Sequence, residues 1–275
     1  MRALLTKSIT LVPWRWRGAI KRIPLMAGLQ RWILAEFLEG REFVHTVDAG
    51  PAHGLRYPIT LPQDKGIWTG GYETEFATRV AAATERGEPA LDIGGWRGFF
   101  GGVMALAGAS RVYIFEPMPA NCAQIRRVIE LNPDLPIELV EAAVSDADGA
   151  LEFVVMPESS MGKLTTSSFQ HGNQSGQKIQ VRTVALDGLL AAGKIQRPSV
   201  VKIDVEGAEL LVLRGARNLL ANHRPTLFIE IHSPELSRDC RTLLEAIGYD
   251  VQIMEEGARD ICHFHATPKV RVKTH

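Results

Sequence analysis

The stretch Ala90-Leu-Asp-Ile-Gly-Gly-Trp-Arg-Gly-Phe-Phe-Gly-Gly-Val103 decides the fold. Ala90 to Ile93 is an apolar run ending in a sharp glycine-rich turn, which predicts a short buried strand. From Phe99 the chain predicts a helix folded back on that strand. A strand, a glycine turn and a helix N-terminus make an element that cradles a nucleotide. A dinucleotide fingerprint, G-x-G-x-x-G, offers its glycines to an anionic pyrophosphate. Here the spacing is Asp92-x-Gly94-Gly95-x-x-Gly98, with a carboxylate two residues before the first glycine. That carboxylate would repel a pyrophosphate and suits a ligand with an ammonium and a sulfonium. S-adenosylmethionine (SAM) is such a ligand.

Outward from this stretch, strands and helices alternate. Strands are expected at 90–94, 111–116, 137–143, 199–204, 225–231 and 249–254. Helices are expected at about 98–108, 119–131, 206–221 and 234–247. Such alternation implies an α/β fold, a doubly wound and mainly parallel sheet with helices on both faces. Ligands of that architecture sit outside the C-terminal strand ends, where the winding direction reverses.

The suspicious polar residues all fall at such ends. Val112-Tyr-Ile-Phe-Glu-Pro117 closes in Glu116, 24 residues after Asp92, where an acid accepts from ribose hydroxyls. Glu141-Ala-Ala-Val-Ser-Asp146 closes the third strand. There Ala143 and Val144 suit an adenine face and Asp146 its amino group, although Ser-Asp-Ala-Asp-Gly149 is also an ordinary turn. Val200-Val-Lys-Ile-Asp-Val-Glu-Gly-Ala-Glu209 delivers Asp204 beside the first strand, with Glu206 and Glu209 at a helix start that favours carboxylates. Asp204 is open to three roles: a base toward an acceptor hydroxyl, a partner of the SAM ammonium, or a ligand of a divalent ion. Thr226-Leu-Phe-Ile-Glu-Ile-His232 puts Glu230 and His232 on one side of the next strand end, which makes His232 a second base candidate. The catalytic candidates are therefore Asp204, Glu206 and His232.

The remainder of the chain bounds these readings. Its 275 residues suffice for one large domain with an extension, and 31 basic residues balance 31 acidic ones. A general basic field for nucleic acid is absent, so no nucleic-acid partner is expected. Cys122, Cys240 and Cys262 are far apart and odd in number, as reduced thiols of a cytoplasmic protein would be. Residues 1–42 form a basic extension with Arg2, Lys7, Arg15, Arg17, Lys21, Arg22 and Arg31 among Trp14, Trp16 and Trp32. Residues 1–35 could touch the inner face of an anionic membrane peripherally. The plainer alternative is a helical cover for the domain or for a second copy in a homo-oligomer. Residues 43–70 suggest a small β-meander, and 71–275 the main domain. Leu151–Val155 and Lys178–Ala185 suggest a strand pair, joined by a polar loop at about 156–177 that is either a lid or an inert tip. In Cys262-His-Phe-His265 two histidines share a face, but no third ligand is near and no metal is expected there.

Several of these motifs together resemble the FkbM-type SAM-dependent methyltransferases, over roughly residues 65–255. They are Gly71-Tyr-Glu73, Leu91-Asp-Ile-Gly-Gly-Trp-Arg-Gly98, Phe115-Glu-Pro117 and Ala143-Val-Ser-Asp146. The most specific is Lys202-Ile-Asp-Val-Glu-Gly-Ala-Glu209, followed by Leu213-Arg-Gly-Ala216. The resemblance implies a class I methyltransferase domain of seven strands with a final antiparallel strand near 260–267. It implies SAM binding by Asp92, Gly94, Gly98 and Glu116; Glu73, Gly95, Ala143, Val144 and Asp204 complete the expected cofactor set. It further implies methyl transfer to hydroxyls of sugars, glycans or natural products, so the partner expected is a small-molecule or glycan acceptor. The family usually carries Ala-Asn where this chain has Gly95-Trp96, which sets a large ring beside the methionine site. Two other readings share the architecture. A nicotinamide (NAD)-linked oxidoreductase conflicts with Asp92, and a non-catalytic partner protein would have Trp96 plugging the pocket.

Overall fold

The computed structural model describes residues 40, 42–155, 162–164, 178–254 and 262–270. The basic segment 1–35 and most of the 156–177 loop lie outside the described residues. No helix among the described residues is long and apolar enough to cross a membrane.

The central sheet is built from β3 (Ala90–Ile93), β4 (Val112–Phe115), β5 (Ile137–Val140), β10 (Val200–Ile203), β11 (Thr226–Ile231), β12 (Tyr249–Ile253) and β13 (Cys262–Pro268). Their spatial order is β5-β4-β3-β10-β11-β13-β12. Neighbours from β5 to β11 run parallel, and β13 runs antiparallel to both β11 and β12. This mostly parallel sheet of seven strands with one reversed strand has the class I methyltransferase architecture. The chain winds outward through β3, β4 and β5, then returns to lay β10 against β3. Winding thus reverses between β3 and β10, and the crevice for a ligand opens at their C-terminal ends.

Strand alternation divides the core. Leu91, Ile93, Tyr113, Val201, Ile203 and Leu227 face α5 (Leu186–Ala191), α6 (Glu209–Gly215), α7 (Arg217–His223) and α8 (Pro234–Ala246). Ala90, Val112, Ile114, Val200 and Phe228 face α2 (Thr74–Ala83), α3 (Phe99–Ala107) and α4 (Pro119–Leu131). Phe99 through Ala105 of α3 are all buried, because the helix is covered on its outer side too. That cover is a hairpin, β1 (Glu42–Thr46) with β2 (Arg56–Thr60), followed by the short α1 (Lys65–Thr69). A two-stranded hairpin and a helix thus stand where a meander was expected. Gly101 and Gly102 let the layers meet: a Cβ at Gly101 would collide with Ile114, and one at Gly102 would lie 2.7 Å from Leu55.

Two expected elements are shorter than the sequence suggests. The strand expected at 137–143 ends at Val140, and Ala143–Val144 (β6) joins a second sheet. That sheet has the order β6-β9-β7-β8, with β7 Gly149–Val155, β8 Gly162–Leu164 and β9 Lys178–Val184. The antiparallel pairing of β7 with β9 is the strand pair expected before and after the polar loop. The helix expected at 206–221 starts only at Glu209, because Glu206 and Gly207 take positive φ values of 52° and 99°. It then breaks at Ala216 into α6 and α7.

Candidate active site

One cavity of about 300 Å³ lies at the C-terminal ends of β3, β4, β10 and β11. Its walls include Gly94, Gly95, Trp96, Glu116, Ala143, Val144, Asp204, Glu206 and Glu230, with Tyr72 and Glu73 also lining it. The glycine turn, both later strand ends and the α2 entrance therefore share one space.

The β3–β4 side is a neutral cradle around one acid. Gly94 has φ +73°, and a Cβ there would overlap the Asp204 carbonyl oxygen, so only glycine lets the two strand ends pass. Gly98 caps α3 at φ +84° and lies outside the cavity wall. Glu116 is 4% exposed. Its Oε2 accepts the Trp96 N–H at 2.9 Å, and its Oε1 accepts the Met118 N–H at 2.9 Å and Asn121 Nδ2 at 3.3 Å. Burial pushes its carboxyl up to about 7, against these donors. Three donors against about four lone-pair sites leave acceptor capacity on Oε2. Ala143 and Val144 form part of the wall beside Met118 and Phe153, whereas Asp146 is exposed and outside it.

Trp96 does not plug the cavity. Its φ of +49° turns the ring onto Tyr72, at 5.9 Å and 22°, where it serves as wall. The next residue anchors the turn from outside. Arg97 is buried and pairs with Asp64 at the start of α1, and Tyr57 Oη donates to the Arg97 carbonyl at 3.1 Å.

Asp92 is set apart from the cavity. Alternation turns it toward α3, and parallel register places Lys202 of β10 directly beside it. The Asp92 carboxylate is fully buried, with Lys202 Nζ at 3.5 Å. Burial raises its pKa while Lys202 opposes the rise. Lys202 also donates to the Gly94 carbonyl at 3.0 Å and to Asp204 Oδ2 at 3.4 Å. Burial works against its charge, but Asp204, Asp92, Glu230 and Glu73 outweigh burial and hold it protonated. Lys202 thus offsets the charge of Asp92, whose two carboxylate oxygens have no hydrogen-bond partner among the described residues, and ties the glycine turn to the end of β10. The clue in the sequence was a lysine within an otherwise apolar strand, since buried lysines require carboxylate partners.

The β10–β11 side is crowded with charge. His232 is 3% exposed and sits behind the wall rather than in it. Its Nδ1 lies 2.7 Å from Oε1 of the fully buried Glu209, which also accepts the Gly207 N–H at 2.9 Å. Its Nε2 faces Glu206 at 3.5 Å, Glu230 at 3.7 Å and Asp204 at 3.8 Å. Burial disfavours the imidazolium, but Glu209, Asp204 and Glu206 lift its pKa to about 9. Burial likewise raises Glu206 to about 7, with His232 opposing. His263, one of the two same-face histidines, lies 3.6 Å from Glu230 Oε2, and His265 stacks on Phe228. The sequence marks Glu209 only as a helix-start acid; its contact with His232 crosses from one strand's loop to another and leaves no local signal.

Residues 90–253 match the family model of the Methyltransferase FkbM domain. The chain belongs to that family. Hexuronic acid methyltransferase AglP of Haloferax volcanii is 28% identical over 144 residues, covering 52% of this chain and 56% of that protein. The match therefore spans little more than half of that relative. Among solved structures, Methyltransferase FkbM from Methylobacillus flagellatus KT aligns over 65% of this chain and 43% of its own, at 19% identity and a TM-score of 0.45. M. jannaschii TYW2 in complex with AdoMet aligns over 86% and 90%, at 13% identity and a TM-score of 0.46. Both likenesses are loose, and the fold assignment rests on the strand order itself. The family match runs from β3 and the glycine turn through the Asp204 loop to β12.

Proposed function

We propose that the protein transfers a methyl group from SAM to a hydroxyl of a sugar, glycan or glycosylated natural product. The observation that carries this reading is the single cavity joining Glu116 to the carboxylates of Asp204 and Glu206. Glu116, oriented by three donors, is ready to accept from ribose hydroxyls. Ala143 and Val144 offer an apolar face to adenine. Gly94 and Gly95 permit close approach of the methionine portion, and the acids beyond them favour its cationic groups.

SAM supplies a methyl already activated by its sulfonium. The protein's task is to align the acceptor oxygen behind that methyl and to take the hydroxyl proton. Asp204 and Glu206, in the wall, are placed to receive it as the oxygen–methyl bond forms and the sulfur–methyl bond breaks. His232, locked by Glu209, holds these carboxylates in place from behind. The choice of a sugar acceptor is supported by the family and by the hexuronic acid methyltransferase among its relatives.

Mass spectrometry of surface and secreted glycans from cells with and without the active protein tests the reading. One methyl group should be missing from a defined sugar when the protein is inactivated. Identical glycan methylation in both would contradict it.

A further inference from the structure

We propose that Asp204, Glu230 and the imidazole of His232 form a binding site for one divalent cation, of which Mn²⁺ is the suitable probe. One ligand atom from each lies within 4.8 Å of the others. His232 Nε2 stands 3.8 Å from Asp204 Oδ1 and 3.7 Å from Glu230 Oε1. Cation–ligand bonds of about 2.1 Å put ligand atoms about 3.0 Å apart when adjacent and about 4.2 Å when opposite. Both His232 spacings fall between these limits.

The second observation is independent of the cluster: each ligand is oriented by a partner outside it. Lys202 Nζ holds Asp204 through Oδ2 at 3.4 Å, leaving Oδ1 toward the centre. His263 Nε2 lies 3.6 Å from Glu230 Oε2, leaving Oε1 inward. Buried Glu209 holds His232 at Nδ1, so Nε2 is the nitrogen that points in. Outer partners that fix ring orientation and carboxylate direction are what metal sites use to present their ligands. Two carboxylates and one imidazole suit a cation between the hard, oxygen-preferring ions and the borderline ones, as Mn²⁺ is. Asp204 and Glu230 also line the cavity, so an acceptor hydroxyl can reach an open position on the cation.

This inference deepens the methyl-transfer reading and rests on it for its chemistry. The acceptor oxygen binds the cation, which lowers the pKa of its hydroxyl. With Asp204 engaged as a ligand, the proton passes to Glu206, the other of the two wall carboxylates and outside the ligand set. The oxygen then forms its bond to the methyl carbon as the sulfur–methyl pair returns to sulfur, leaving S-adenosylhomocysteine and a neutral ether.

The test is electron paramagnetic resonance of Mn²⁺ titrated into the chelator-treated full chain, without donor or acceptor. One Mn²⁺ per chain should bind, and His232→Gln and Asp204→Asn should each weaken binding by roughly tenfold or more. Thermal unfolding of each variant confirms that it is folded. Failure of the wild-type chain to bind Mn²⁺ at millimolar concentration, or equal binding by both folded variants, would overturn the site. A chain that binds Mn²⁺ here but methylates no glycan overturns the transfer reading and leaves the site standing.

Discussion

The two halves of the cavity are built by opposite means. At the ends of β3 and β4, the chain removes side chains so that backbone can come close, and it leaves one acid, Glu116, held by three donors. At the ends of β10 and β11, it gathers carboxylates, an imidazole and a lysine within a few ångströms. On the proposed function, the first half binds the donor and the second takes the acceptor proton. Asp92 joins the two. Its sequence position belongs to the glycine turn, but its carboxylate balances Lys202, which reaches the Asp204 end.

The sharpest break in this contrast is steric. Gly94→Ala adds a Cβ onto the Asp204 carbonyl at a left-handed φ. A loss of more than about 4 kcal/mol, or no soluble protein, is expected in thermal or denaturant unfolding. Near-native stability would mean that the two strand ends are not in contact. Asp92→Asn comes next. It leaves Lys202 buried with one carboxylate fewer, and unfolding should show a loss of about 3 kcal/mol. A stable variant that has lost SAM affinity would instead make Asp92 a direct donor contact.

Glu116→Gln should leave the fold intact and weaken SAM binding roughly 30-fold, about 2 kcal/mol, in a calorimetric titration. Unchanged affinity would remove Glu116 from the ribose site. The smallest effect concerns pH. With its carboxyl near 7, Glu116 holds a proton below that pH in the free protein. Accepting a ribose hydroxyl beside its three donors requires the ionised form, so binding releases that proton. SAM affinity should level off above about pH 8 and fall by less than about tenfold between pH 7 and 6. The Glu116→Gln variant should lose this dependence, and a dependence that survives would assign it elsewhere.

The fold was legible because its signals are local. Apolar strands such as Ala90–Ile93 and Val200–Ile203, separated by helical spacing, announce a parallel sheet and put Glu116, Asp204 and Glu230 at its ligand-binding edge. The family was carried by motifs in the chain, and the reversed last strand was what that resemblance implied. What local signals cannot carry is pairing. That Asp92 meets Lys202 depends on the parallel register between β3 and β10, which are distant in the chain. That Glu209 captures His232 depends on where α6 begins, which positive φ at Glu206 and Gly207 delays. The early end of β5 is of the same kind, since Ala143 and Val144 are drawn off by β9.

Donor binding in the first half of the cavity underlies every role proposed above. Isothermal titration of the folded full chain with SAM, and separately with NAD, tests this most directly. One saturable SAM site per chain and no heat with NAD is the predicted result. A folded chain with no affinity for SAM would contradict the account.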